Sequence, residues 1–215
     1  MLIFFYRGVY LDINEFYEES KKYVIKKIEN LNHKLIIGPR IVLFLIPCNA
    51  CSYDTNFNVN VSITGNFNPI CSRDGRIAQI SNHVFSFGGP GPQNDNGHFC
   101  YAVINDKGII ESADRRSLNF EKKELNLKYF INNFKSCFME YIDIYSSLKI
   151  DYPVFISVSL FKMKGFRLLA EEGPELKNNT ESIFGLIPAE AEAEHQISMI
   201  RDRIIEKFYN PSNLI

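Results

Sequence analysis

Residues able to do chemistry gather in a few places along this 215-residue chain. The most conspicuous is "SFGGPGPQNDNGHFCY", residues 86–101, in which Gly88, Gly89 and Gly91 precede Asn94, Asp95, His98 and Tyr101. Glycine-rich loops cradle phosphates when a Gly-Lys-Ser/Thr step leads into a helix, because the lysine and the helix N-terminus meet the negative charge. Here no lysine lies between Ser86 and Tyr101, and the residues that follow read as a strand. A dinucleotide fingerprint also needs a helix at that point. The stretch is therefore expected to be a long connection between two strands, and long connections often line binding surfaces.

Other constellations compete for a chemical role. His83 and His98 flank the loop, and Cys100 follows closely, so a Cys–His nucleophile pair is conceivable. No residue nearby orients such a pair or supplies an oxyanion hole, and packed histidines at strand ends are the simpler reading. Cys48 and Cys51 have metal-ligand spacing, but a structural zinc site needs a second pair, and Cys71, Cys100 and Cys137 stand alone. A redox pair usually opens a helix, whereas Pro47 and the "SYD" after Cys51 point to a loop. Glu175 and Lys177 in "PELK" match the Glu-x-Lys spacing of a nuclease centre, yet Gly173-Pro174 and Asn178-Asn179 place them in a loop. Glu190, Glu192, Glu194 and His195 spread around a helix axis and suit its N-terminal dipole better than a metal. Lys21, Lys22, Lys26 and Lys27 alternate with glutamates and read as a solvated face. No catalytic residue, metal ligand or cofactor site is assigned.

The elements that must position these residues follow from periodicity. "FFYRGVYL" reads as a short strand with a turn at Arg7-Gly8. Asp12 is an N-cap for a helix carrying Ile13, Phe16, Tyr17, Tyr23, Val24, Ile28 and Leu31. Gly38-Pro39 ends it, and "RIVLFLIP" is a strand covered on both faces. In "NFNVNVSITG", Phe57, Val59, Val61 and Ile63 alternate with polar residues, which predicts a half-buried strand. "NHVFSF", "HFCYAVIN" and "GIIESAD" are further strands, the last two joined at 106–108. A helix is predicted over 121–148, with Leu125, Tyr129, Phe130, Phe134, Phe138, Tyr141, Ile142 and Tyr145 on one stripe. The stretch 152–171 reads as a strand or hairpin, 172–179 as loop, and the closing segment from Pro188 as a helix with Ile197, Ile200, Ile204 and Phe208 buried. Strands in the middle with helices before, after and at the end define an α+β protein: a mostly antiparallel sheet packed against two or three helices. One domain over 1–215 is expected.

With 46% hydrophobic residues the chain can bury one substantial core. Basic and acidic residues number 24 and 25, so nucleic-acid binding through bulk positive charge is excluded, although a local basic patch is not. No basic leader with a cleavage site opens the sequence, and no apolar run approaches the roughly 20 residues of a membrane helix. Five scattered cysteines fit reduced thiols and a cytoplasmic protein rather than a disulfide framework.

Residues 100–169 carry a family resemblance. "CYAVINDKGIIESAD", a long helix, and "LKIDYPVFISVSLFKMKGFRLLAE" resemble the C-terminal region of bacterial Schlafen-type proteins with an AlbA-like DNA-binding and ATP-binding domain. The matching features are the turn from Gly108 to Glu111 and the strand from Pro153 to Gly165. The resemblance covers about a third of the chain and implies an accessory domain of a larger nucleic-acid-associated or defence-related protein. It carries over no catalytic residue.

These readings converge on a non-catalytic binding or scaffolding domain. Its expected ligand or partner surface is His83, Gly88, Gly89, Gly91, Asn94, Asp95, His98, Tyr101, Arg115 and Arg116, assisted by Arg73 and Arg76. The partners left open are nucleic acid or another protein, with no membrane and with homo-oligomerisation as a further option. The alternatives are a hydrolase or nuclease with a Cys100/His98 or Glu175/Lys177 centre, and an oligomerisation module.

Overall fold

The computed structural model describes residues 3–6, 9–29, 38–51, 56–73, 75–90, 98–169, 176, 178 and 180–209. The strands β1 (Ile3–Tyr6) and β2 (Val9–Asp12) pair as an antiparallel hairpin ahead of α1 (Ile13–Glu29). Asp12 ends the hairpin and starts the helix, its Oδ1 accepting the backbone N–H groups of Asn14 at 2.8 Å and Glu15 at 3.4 Å. Phe16, Ser20, Val24 and Ile28 recur every fourth residue and form the buried stripe of α1.

Next come β3 (Arg40–Pro47), a 3-10 turn (Cys48–Cys51), β4 (Arg76–Ile80), β5 (His83–Pro90), β6 (His98–Ile104) and β7 (Ile110–Asp114). Two-residue strands β8 (Leu118–Asn119) and β9 (Glu124–Leu125) lead to α2 (Leu127–Leu148). The chain continues through β10 (Val154–Phe161), β11 (Arg167–Leu168), β12 (Thr180–Ile187) and α3 (Ala193–Tyr209). The main sheet has seven strands in the order β12-β10-β3-β7-β6-β5-β4, every neighbour antiparallel. The protein is thus α+β, as the order of elements predicts.

Both faces of the sheet are covered, which is why β3 and β10 are buried at every residue. On one face Ile41, Leu43, Leu45, Val154, Ile156 and Val158 pack against Phe130, Phe134 and Phe138 of α2 and Ile197, Ile200 and Ile204 of α3. On the other, Val42, Phe44, Ile46 and Phe155 meet Phe16, Val24 and Ile28 of α1. That second face is partly polar: Ser159 lies 3.3 Å from Ser157 and 2.8 Å from Ser182, hydroxyl to hydroxyl.

Three sequence expectations need correction. Residues 56–66 form no strand. Asn60 folds the chain on itself, its Oδ1 accepting the Ser62 hydroxyl at 2.5 Å and the Ile63 N–H at 3.2 Å, while its carbonyl accepts the Thr64 N–H. Asparagine side chains compete with a ladder in this way, so the alternation of 57–63 does not become a strand. Helix α2 begins at Leu127 rather than 121, because Asn126 caps it by accepting the Tyr129 N–H at 2.9 Å, and Leu125 lies in β9 instead. Tyr129, predicted on the buried stripe, is 38% exposed. Finally, β12 is unanticipated. Its central Gly185 argues against a strand, yet a Cβ there would stand 3.1 Å from Ile156 and 3.2 Å from Ile200, so glycine lets α3 approach the sheet.

Candidate binding surface at the loop end of the sheet

The register of β5, β6 and β7 decides which chemically capable residues meet. Pro90 pairs with His98, Gly88 with Cys100, and Cys100 with Asp114. Gly88, Gly89, the backbone of His98 and the Asp114-Arg115-Arg116 step therefore share one end of the sheet. Gly91, Asn94 and Asp95 belong to the connection between β5 and β6 and lie outside the described residues. His83 sits at the opposite end of β5, opposite Ile80, roughly 20 Å from Gly89 by strand rise. There it stacks on Phe85 at 6.0 Å, and Phe85 on Phe87 at 5.9 Å. The two histidines that flank the loop in sequence are thus at opposite ends of the hairpin.

At the loop end, Asp114 organises the backbone. Its Oδ1 accepts the Arg116 N–H at 2.8 Å, and its Oδ2 accepts the Ser117 N–H at 3.2 Å and hydroxyl at 2.5 Å. Asp114 is fully buried, and burial raises its carboxyl to about 6 against the pull of those donors. The tight turn it makes presents Arg116, whose Nη1 donates to the Cys71 carbonyl at 3.3 Å. The same guanidinium crosses Gly89: with φ at +70°, a Cβ there would lie 2.7 Å from Arg116 Nη2. Glycine at 89 is what allows a cation to lie across the point where the connection leaves the sheet.

Other predicted surface residues are consumed by the fold. Arg115 is 4% exposed, its guanidinium 4.4 Å from the Phe120 ring. Tyr101 faces the α1 side, fully covered, and donates its hydroxyl to the Glu111 carboxylate. Burial and that carboxylate push the phenol well above its ordinary range. Arg40, also on the α1 face, lies over Phe161 at 4.5 Å and donates to the Gly38 carbonyl at 3.1 Å. Arg73 and Arg76 are exposed.

The candidate catalytic groups fare no better. Cys100 is buried, its thiol donating to the Gly88 carbonyl at 3.2 Å, so it offers no accessible nucleophile. Burial pushes the Cys71 thiol up, and raises Cys137 to about 11. Cys48 is buried in the 3-10 turn at the end of β3. Glu175 and Lys177 lie outside the described residues. Glu190, Glu192, Glu194 and His195 are exposed around the start of α3, and Glu194 pairs with Lys135 at 3.4 Å. Lys22 pairs with Glu19 on the outer face of α1. No group of three or more metal-binding side chains forms among the described residues. No helix among them is long and apolar enough to cross a membrane.

The Asp114 turn is a feature that sequence reading missed. Its signal is "DRRS", an Asp followed three residues later by a Ser, which is the pattern of a side chain capping its own backbone. Compared with known proteins, the chain matches no family model, no curated protein and no solved structure.

Proposed function

We propose that this chain is a non-catalytic binding domain whose contact surface is the loop end of its seven-stranded sheet. The observation that carries the reading is Arg116. A cation is held by the Asp114 turn and laid across Gly89, at the place where the β5–β6 connection departs. A fixed guanidinium beside glycine backbone suits an anionic partner, since Arg presents its donors in a planar fork that matches phosphate oxygens. Exposed Arg73 follows Cys71, whose carbonyl holds Arg116, and places a second cation nearby in sequence. Nucleic acid is the partner class favoured by the Schlafen-type resemblance of residues 100–169, and with it an accessory role within a larger nucleic-acid-associated or defence-related protein. The burial of Cys100 favours binding over a cysteine-based hydrolase.

The test is to incubate the purified chain with labelled single- and double-stranded oligonucleotides and with nucleoside triphosphates, measuring anisotropy and product formation together. Salt-sensitive binding without turnover is the expected result. Turnover that a point substitution abolishes would overturn the reading.

A further inference from the structure

The two edges of the main sheet are not alike. At the β12 edge, Arg203 of α3 reaches over and donates to the Phe184 carbonyl at 3.1 Å, and α3 packs along the strand. At the other edge, β4 bonds only to β5, and the outward side of residues 76–80 has no hydrogen-bonding partner among the described residues. Apart from the charge of Arg76 at its start, the usual protections of an edge are absent from this strand. "RIAQI" contains no proline and no lysine, its ladder with β5 runs unbroken from Arg76 to Ile80, and Ile80 is 59% exposed.

We infer that β4 is a dimerisation strand, pairing antiparallel with β4 of a second copy of this chain about a two-fold axis through Ala78. In that register Arg76 stands opposite Ile80 of the other copy, Ile77 opposite Gln79, and Ala78 opposite itself. The strand's only charge therefore never meets its own kind, all five residues find partners, and exposed Ile80 lies along the aliphatic stem of an arginine. The asymmetry of the edges selects the occupant and the stoichiometry. An open edge meeting an open edge closes on itself, while the β12 edge has its Phe184 carbonyl already taken by Arg203 and is the poorer site for a further strand. The product is a continuous antiparallel sheet across two copies. A five-residue strand pair buries less than the roughly 1,200 Å² of a stable interface, so the dimer dissociates in the micromolar range. This pairing is independent of what the Arg116 end binds.

Sedimentation velocity on the full chain from about 1 to 300 µM tests it. The mass is expected to rise with concentration from 24.8 kDa towards twice that value. Ile80→Arg sets arginine against Arg76 of the other copy twice per dimer, and is expected to weaken association about 2- to 30-fold. The double substitution Arg76→Glu with Ile80→Arg turns both repulsions into attractions and is expected to restore the dimer. Both positions are exposed, so unchanged thermal unfolding of the variants confirms that their folds are intact. In parallel, hydrogen exchange is expected to show those β4 amides that point away from β5 protected at high but not low concentration. A wild-type chain that stays monomeric throughout, a dimer indifferent to Ile80→Arg, or a double variant as weak as the single one each overturns the inference.

Discussion

Asp114 makes the stability of this fold depend on pH in an unusual direction. Its carboxyl titrates at about 6 in the folded chain against an ordinary 3.8, because burial penalises the charged form more than the Arg116 and Ser117 donors relieve it. A group raised in the folded state contributes stability that is fully present below its unfolded pKa and is lost as pH rises through the folded one. The shift of two units corresponds to about 3 kcal/mol at neutral pH, of which roughly 2 kcal/mol disappears between pH 4 and pH 7. Other carboxylates titrate over the same range, so the quantity to measure is a difference. Urea unfolding of the wild type and of Asp114→Asn, at half-unit steps from pH 4 to pH 7, isolates it. Relative to the variant, the wild type is expected to lose about 2 kcal/mol across that window. Asn keeps an acceptor for the Arg116 N–H and does not titrate. A difference between the two proteins that stays flat with pH would refute the assignment of a buried, reluctant carboxylate.

Two further predictions concern residues at the same end of the sheet. Gly89→Ala forces a Cβ into a left-handed backbone and against Arg116, and is expected to cost about 1–2 kcal/mol in chemical denaturation. A loss below a few tenths would show that Gly89 does not hold a left-handed backbone. Cys71 and Cys137 are expected to resist a thiol-specific reagent at pH 8 in the folded chain and to react on unfolding. For Cys137 the upward shift from 9.0 to about 11 alone slows native labelling about 100-fold, whereas labelling at the unfolded rate would contradict its burial.

The parts of the fold that were legible in the sequence are those where one physical signal dominates. "RIVLFLIP" is apolar from Ile41 to Pro47 because both of its faces are covered, and Asp12 before a four-residue spacing of buried residues marks the start of α1. Where two signals compete, reading along the chain fails. The alternation in "NFNVNVSITG" is genuine, but Asn60 supplies a local turn that the ladder does not overcome. Gly185 obscures β12 because its reason is a contact with Ile200, fifteen positions away in sequence. The candidate surface is harder still. That Arg116 is presented while Arg115 is stacked on Phe120, and that Tyr101 turns inward to Glu111, follows from register. Composition holds no trace of it. His83 and His98 show the same effect: near neighbours of one loop in sequence, they are separated by the length of a hairpin whose strands run in opposite directions.

The binding reading stands or falls on Arg116. The most direct measurement is the salt dependence of single-stranded oligonucleotide binding by the wild type and by Arg116→Ala, with thermal unfolding recorded alongside. If Arg116 meets a phosphate at the loop end of the sheet, the substitution weakens binding evenly across sequences and reduces the slope of log affinity against log salt by about 0.7. Unchanged affinity and slope in a folded Arg116→Ala protein would contradict the placement of the surface.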